Sequence, residues 1–201
     1  MIMNKIVAVL GGACTGKDTI RGMLLESHGD CFISAVSTTT RPPRVGEENH
    51  VHYHFINNKE FNEAYVNDEF VEIRQYAVAS GDTWQYGYTY EEINSKLEQS
   101  NILIVVDLEG FMDFKVQYGD QLVGIYIELD RDTRIQRYLN RDSITFDMVE
   151  EAVRRIKDDD ERAFLDVEAW VDYIVKNPKS SSDAMSEILE FLQSEGHLQL
   201  K

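Results

Sequence analysis

The sequence contains little cysteine and proline, and it has no long apolar run. Its 201 residues include 2 cysteines and 3 prolines. Two cysteines are too few for the disulfide framework of a small secreted protein. No apolar run approaches the roughly 20 residues that span a bilayer, and the stretch from Met1 to Lys5 is too short for a secretory signal. These absences predict a cytoplasmic protein without membrane contact.

Positive charge is also scarce. The chain has 20 Lys and Arg against 36 Asp and Glu, a formal net charge of −16. Long nucleic acids need a basic surface, so this balance argues against a nucleic-acid partner. Arginines nevertheless cluster at Arg41 and Arg44 and again between residues 131 and 155. Such local clusters favour small anionic ligands, while the oligomeric state stays open.

Apolar runs alternate with helical patterns along the chain. Five runs are short and apolar, namely residues 6–10, 32–36, 102–108, 122–129 and 170–175. This alternation is typical of an α/β protein with a parallel sheet. We therefore predict one domain with a three-layer α/β/α core.

Two polar stretches interrupt the alternation. Residues 37–98 are rich in Tyr and His, which predicts a small β-containing insert. Residues 130–157 are highly charged, and their helical pattern places Arg134, Arg137 and Arg141 on one face. Such a row suits a lid over phosphates, and an ordinary solvated helix face is the alternative. The core would then comprise residues 1–36, 99–129 and 158–201.

A glycine-rich segment lies between the first apolar run and a helical pattern. It consists of Gly11, Gly12, Ala13, Cys14, Thr15, Gly16 and Lys17. A Gly-rich turn at a helix N-terminus presents backbone N–H groups to an anion. The spacing Gly, four residues, Gly-Lys is that of the P-loop. The segment therefore predicts binding of a nucleoside triphosphate.

The residue after the P-loop lysine is unusual. The residue directly after this lysine is normally a Ser or Thr that binds Mg²⁺. Here it is Asp18, and Thr19 follows it. A carboxylate also binds Mg²⁺, although it brings negative charge close to the phosphates. We predict Mg²⁺ as a cofactor and Asp18 as its ligand.

A second group of residues suits a phosphorylated base. In segment 37–47, Arg41 and Arg44 flank two prolines that stiffen the backbone. Arginine binds phosphate in a bidentate manner, and a nearby tyrosine hydroxyl can donate to the same phosphate. A buried carboxylate can accept two N–H bonds from guanine, which adenine cannot supply.

The order and spacing of these segments resemble the guanylate kinase family over nearly the whole chain. The most specific part is Ser-x-Thr-Thr-Arg-x-x-Arg-x-Gly-Glu at residues 37–47, followed by Tyr-x-Phe at 53–55. The resemblance implies phosphoryl transfer from ATP, with Mg²⁺, to GMP and also dGMP. It also implies a core, a nucleotide-binding insert at 37–98 and a lid at 130–157.

The resemblance implies a role for each matching residue. ATP would be bound by the P-loop with Asp18 and Thr19, and by Asn177 near adenine. The phosphate of GMP would be bound by Arg41, Arg44, Tyr53 and Tyr86. Guanine would be read by Glu72, with help from Ser37 and Asp107. Catalysis would rest on Lys17, Arg41 and the lid arginines Arg137, Arg141 and Arg155, although Arg154 competes for the last position.

Several residues depart from the family pattern. Tyr88 stands where the family usually has Ser or Thr, Val105 where an acid is common and Glu109 where Gln is common. The loop expected at residues 76–86 is longer than usual. Two alternatives follow: a related kinase with another or broader acceptor, such as a deoxynucleotide or sugar phosphate, and a non-catalytic binding module. The intact Lys17 argues against the second.

Three alternating histidines form a separate candidate. His50, His52 and His54 would share one face if the segment were a strand, and histidines bind Zn²⁺. The alternative is an ordinary strand whose opposite face carries Tyr53 and Phe55 toward the core and the nucleotide. Cys14 is either an oxidation-sensitive thiol at a helix N-terminus or simply a small side chain that fits.

Overall fold

Helices and strands alternate along the chain. The computed structural model describes residues 3–77, 81–140, 149–150, 152–154, 156–157, 167–176 and 178–198. The helices are α1 (Lys17–Ser27), α2 (Asn58–Val66), α3 (Tyr90–Leu97), α4 (Leu108–Tyr118), α5 (Arg131–Leu139) and α6 (Ser181–Ser194). The strands are β1 (Ile6–Leu10), β2 (Phe32–Ser34), β3 (Thr38–Thr39), β4 (His54–Phe55), β5 (Phe70–Ala77), β6 (Thr83–Thr89), β7 (Asn101–Val105), β8 (Leu122–Glu128) and β9 (Tyr173–Lys176). In these residues, no helix is long and apolar enough to cross a membrane.

The central sheet has five parallel strands in the order β2-β7-β1-β8-β9. Val7 of β1 pairs with Leu103 on one side and with Val123 on the other. Every side chain of β1 is buried, as expected for a strand covered on both faces. The predicted α/β fold with a parallel core sheet is confirmed.

Helices cover both faces of this sheet. Successive side chains of a strand point to opposite faces, so β1 contributes to two apolar cores. Val7 packs in one core with Leu24 of α1 and Ile188 of α6. Ala8 packs in the other with Phe111 of α4. The three-layer arrangement follows directly from this alternation.

A second, smaller sheet is built from residues within the insert predicted at 37–98. Its order is β4-β3-β6-β5, with β6 antiparallel to both β3 and β5. The β5–β6 hairpin is longer than the sequence indicates, because Tyr76 pairs with Trp84 and Ala77 with Thr83. The prediction of a loop over residues 76–86 is therefore wrong at both ends of that segment.

Residues of interest gather at one edge of the central sheet. Gly11 follows β1, Ser37 lies just after β2, Asp107 after β7 and Pro178 after β9. Parallel strands end at the same edge, and ligands of open α/β sheets bind there. This edge is therefore where a site is expected.

Helix α5 differs from its expected orientation. Its cap is Asp130, whose Oδ1 accepts the Thr133 N–H at 2.9 Å. Arg134 is only 6% exposed and shares the buried face with Tyr138. The alternative of an ordinary solvated face is therefore wrong for Arg134, because packing turns that residue inward.

Candidate active site

The loop between β1 and α1 forms a tight turn. Gly11 and Gly16 have positive φ angles of 148° and 93°. Gly11 also approaches β8 so closely that a Cβ atom there would stand 2.7 Å from the Ile127 carbonyl oxygen. Thr15 closes the turn by donating its hydroxyl to the Gly12 carbonyl at 2.9 Å. The turn precedes the N-terminus of α1, where an anion is favoured.

Two cations lie against this loop. Lys17 begins α1, and its Nζ reaches back to donate to the Gly12 carbonyl at 2.8 Å. Arg137 of α5 donates to the Thr15 carbonyl at 3.0 Å and to the Pro178 carbonyl at 3.4 Å. A lysine and an arginine over a Gly-rich turn are suited to the phosphates of a nucleotide.

The first turn of α1 exposes Asp18 and Thr19. The Asp18 side chain is 81% exposed, and its Oδ1 lies 3.9 Å from Nη2 of Arg21. Mg²⁺ in nucleotide sites is commonly held by one or two carboxylates, water and substrate phosphates. A single accessible carboxylate beside the P-loop fits that donor set.

A second cluster surrounds Arg41. The Arg41 side chain is 3% exposed, and its guanidinium lies 5.1 Å from the centre of the Tyr53 ring. Tyr53 and Tyr86 meet edge to face, with ring centres 6.0 Å apart. The structure therefore brings Arg41, Tyr53 and Tyr86 together. Arg44 lies on the exposed loop that follows.

Glu47 orders this loop, a function that the sequence did not indicate. One carboxylate oxygen accepts from Nη2 of Arg41 at 2.8 Å, and the other accepts the Arg44 backbone N–H at 2.7 Å. The hydrogen bond from Arg41 lowers the pKa of Glu47. Burial works to lower the pKa of Arg41, but the bond to Glu47 and the nearby tyrosines raise it. The pair therefore stays charged.

Glu72 is a buried carboxylate on β5. It is 7% exposed, and its Oε1 accepts the Tyr88 backbone N–H at 3.1 Å. Among the residues that the structure describes, none donates a hydrogen bond to Oε2. Burial raises the pKa of Glu72 to about 7, and the charge of Arg74 opposes this shift. Glu72 therefore exchanges a proton near neutral pH and has an oxygen available to a ligand.

Asp107 caps α4 close to Glu72. Its Oδ1 accepts the Gly110 N–H at 2.7 Å and Nε of Arg74 at 3.0 Å, while Oδ2 accepts the Tyr76 hydroxyl at 3.1 Å. Oδ1 thus uses both lone pairs, and Oδ2 retains one for a ligand.

Ser37 is hydrogen-bonded to β6 next to the residue that holds Glu72. Its hydroxyl donates to the Gly87 carbonyl at 3.2 Å, next to the Tyr88 N–H that binds Glu72. Tyr88 itself is buried, and its ring packs edge to face on Phe114 in the core. Tyr88, which replaces the Ser or Thr of the family pattern, thus packs its ring in the core, and its backbone N–H holds Glu72.

The sequence did not single out Arg74 or Arg21. Arg74 joins β5 to Asp107 and Asp113. Arg21 lies on α1, where its Nη2 is 3.9 Å from Oδ1 of Asp18. Burial raises the pKa of Tyr53; the charge of Asp18 adds to this shift and the charge of Arg21 opposes it. A basic residue one turn after Asp18 is the only signal in the sequence for Arg21.

Three predicted residues lie outside the described part of the chain. They are the lid residues Arg141 and Arg155 and the adenine contact Asn177. Arg154 is described and exposed. These assignments remain predictions.

The histidines do not share a strand face. His54 belongs to β4, whereas His50 has a positive φ angle of 66° and His52 lies in a turn. Nδ1 of His50 lies 2.8 Å from Nδ1 of His54, and Nε2 of His54 lies 3.3 Å from Glu92. Within the described residues, no group of three or more His, Cys, Asp and Glu side chains is arranged to hold a metal. The expectation of a common face is wrong.

The fold and these clusters define a class of protein. A P-loop at the carboxyl edge of a parallel sheet, with a buried arginine and a buried carboxylate nearby, is the arrangement of a P-loop nucleotide-binding protein.

Comparison with known proteins narrows this class. The sequence profile of the guanylate kinase family matches residues 3–144. A guanylate kinase from Clostridium perfringens is 33% identical over 153 residues, which are 72% of this chain and 68% of the relative. One from Campylobacter jejuni is 27% identical over 188 residues, 92% of this chain and 87% of the relative. The chain belongs to the guanylate kinase family, as the sequence motifs predict.

A solved structure shows the same fold. The crystal structure of guanylate kinase from Anaplasma phagocytophilum superposes with a TM-score of 0.67 at 22% identity. The match covers 96% of this chain and 86% of that one. The P-loop α/β fold is therefore supported independently of close sequence similarity.

Proposed function

We propose that this chain is an ATP-dependent guanylate kinase, which converts ATP and GMP into ADP and GDP. The relatives that carry this name support the activity. The observation that carries the acceptor assignment is Glu72, a buried carboxylate with an oxygen that no described residue uses as an acceptor. Guanine offers the N–H donors that such a group binds.

The reaction is a direct phosphoryl transfer. A phosphate oxygen of GMP attacks the γ-phosphorus of ATP and forms a new P–O bond. The bond between that phosphorus and the β,γ-bridging oxygen breaks, and the electron pair leaves with ADP. No general base is needed, because a nucleotide phosphate is already ionised at neutral pH. The protein supplies position and charge stabilisation.

Each cluster has one part in this reaction. The P-loop and Lys17 would hold the donor phosphates. Arg41, Tyr53 and Tyr86 would hold the acceptor phosphate with Arg44, while Ser37 and Asp107 would assist Glu72. None of these contacts involves the 2′-hydroxyl, so we include dGMP as an acceptor.

Asp18 would hold Mg²⁺ beside the donor phosphates. When bound, this ion neutralises phosphate charge. Asp18 is accessible at the start of α1 and next to Lys17, which suits this task.

The remaining parts of the proposal concern organisation. We assign residues 37–98 to a nucleotide-binding insert, 130–157 to a lid and the rest to the core. Arg137, Arg141 and Arg155 would close over the donor, and Asn177 would contact adenine. The low cysteine content accords with a cytoplasmic location.

An assay of acceptor choice tests the proposal. ADP release is measured with ATP and Mg²⁺ against GMP, dGMP, AMP, dTMP, CMP and UMP. We expect turnover with GMP and dGMP only. Turnover of another base would assign a different acceptor, and failure to bind ATP at millimolar concentration would indicate a non-catalytic binding module.

Substitution of Glu72 tests base recognition. Glu72→Gln should lower kcat/KM for GMP about 100-fold, because one acceptor of the pair becomes a donor that faces guanine N–H groups. Folding should be unimpaired at pH 8, since the ionised carboxyl is unfavourable in its buried position and the amide removes that cost. Unchanged preference for GMP over AMP in a folded variant would contradict the assignment.

The pH dependence of KM for GMP gives a separate prediction. Glu72 binds guanine as a carboxylate, and its pKa is about 7. KM should therefore be constant above this pH and rise as pH falls below it, by up to about tenfold per unit. KM for ATP should not show this pH dependence. Glu72→Gln should abolish this rise of KM for GMP, whereas a rise caused by ionisation of the GMP phosphate would persist. A rise that persists in this variant would therefore exclude Glu72 as its origin.

A further inference from the structure

Arg74 lies among four acidic side chains beside the acceptor pocket. Its Nε donates to Oδ1 of Asp107 at 3.0 Å, and its Nη2 donates to Oδ2 of Asp113 at 2.8 Å. Oε2 of Glu109 and Oε2 of Glu72 lie 3.9 Å and 4.0 Å from the same Nε. One guanidinium therefore balances several carboxylates at the point where the small sheet meets α4.

We propose that Arg74 is a positioning residue for base recognition, which holds Asp107 in place and keeps Glu72 ready to accept hydrogen bonds from the acceptor base. This inference rests on the proposed kinase function. The residue is not expected to contact the reacting phosphates, since it acts through the two carboxylates.

The strand explains how Arg74 reaches both groups. Glu72, Arg74 and Tyr76 are alternate residues of β5 and therefore share one face of the strand. That strand packs against α4, whose N-cap is Asp107. Tyr76 donates its hydroxyl to Oδ2 of Asp107 at 3.1 Å. Two side chains of β5 thus fix the orientation of the Asp107 carboxylate.

Charge explains why a cation is needed there. The titratable groups that surround Glu72 and Arg74 are Tyr76 on β5, Tyr88 on β6 and Asp107, Glu109 and Asp113 at the start of α4. Burial raises the pKa of Glu72, and Asp107 and Asp113 add to this shift, whereas Arg74 opposes it. Without the guanidinium, the protonated form of Glu72 would prevail at neutral pH. That form is a poorer acceptor for guanine N–H groups.

Three variants test this role. Arg74→Met removes the charge and keeps the length of the side chain, whereas Arg74→Lys keeps the charge and loses the planar fork. The control is Lys59→Met, which removes a positive charge from an exposed ion pair of α2 in the same insert. Kinetics with GMP and ATP are measured from pH 6 to 9, together with the thermal unfolding of each variant.

We expect Arg74→Met to raise KM for GMP at least about tenfold at pH 7.5, the effect of losing charged hydrogen bonds. The pH below which KM rises should move upward by about one unit. KM for ATP and kcat should stay within about twofold of the wild type, and Lys59→Met should change none of these values. Arg74→Lys should restore the pH midpoint but not the full affinity, because an ammonium cannot serve Asp107 and Asp113 in fixed geometry.

Two outcomes would overturn the proposal. One is an Arg74→Met enzyme with wild-type KM for GMP and an unmoved pH profile. The other is an equal rise of both KM values with a lower unfolding temperature, which would make Arg74 merely structural. If Arg74→Met does not fold, Arg74→Lys decides, since an unchanged KM for GMP there excludes the role. If the wild type uses another nucleotide, the proposed function fails, and the same variants are then measured with that nucleotide.

Discussion

Replacement of Lys17 by alanine is expected to lower kcat by about 10³-fold while the fold persists. Lys17 is the first residue of α1, and its Nζ lies over the P-loop, 2.8 Å from the Gly12 carbonyl. A charge in this position stabilises the developing negative charge of the transferred phosphoryl group, and such contacts account for a large share of phosphoryl-transfer catalysis. The backbone of the loop is held independently by Gly11, Gly16 and Thr15.

Lys5 provides a matched control at the opposite end of β1. Its Nζ donates to the Asp120 carbonyl, far along the strand from the P-loop. Lys5→Ala removes the same charge and should retain full activity. Coupled ADP-release kinetics and circular dichroism measure both variants. A Lys17→Ala enzyme within tenfold of wild-type kcat would remove Lys17 from the catalytic machinery.

The second large effect is expected at Arg41. Arg41→Met should raise KM for GMP at least about 100-fold, since a bidentate arginine contact to phosphate would be lost. KM for ATP should change little, because under the proposed function ATP is bound by the P-loop and Arg137 and not by Arg41. Initial-rate kinetics with each substrate varied in turn give both constants.

The Arg41→Met substitution also affects Glu47, so the experiment needs a second variant. Arg41→Met leaves the Glu47 carboxylate without its 2.8 Å partner, and an unpaired charge alone can disturb the loop. The double variant Arg41→Met with Glu47→Gln removes that charge. We expect its KM for GMP to remain high. Recovery in the double variant would mean that the single substitution acts through Glu47 and that Arg41 does not hold the acceptor phosphate.

Local sequence was sufficient to predict β1, the P-loop turn and the parallel core. β-Branched residues, glycines and a following helical pattern act over a few positions, and neighbours along the chain determine the result. The cluster of Arg41, Tyr53 and Tyr86 was reached through family resemblance, and the structure brings these side chains together.

Contacts between residues that are far apart along the chain could not be predicted from the sequence. Arg74 meets Asp107 and Asp113, which are 33 and 39 residues away, and no periodicity encodes such pairs. Arg134 was assigned to a polar helix face by its charge, yet tertiary packing buries it. In such cases tertiary packing overrides helix propensity and the polar pattern of the sequence.

The central position of β1 has a consequence for how the protein unfolds. β1 pairs with β8 over Ile6–Leu10 and with β7 over Ile6–Val9, and it is buried throughout. The insert strands β3 and β4, in contrast, are only two residues long. Partial unfolding begins where backbone hydrogen bonds are few. Forms that lose the small sheet would still present the turn at residues 11–17. Under the proposed function, such partly unfolded forms would still bind ATP after they had lost the binding site for GMP.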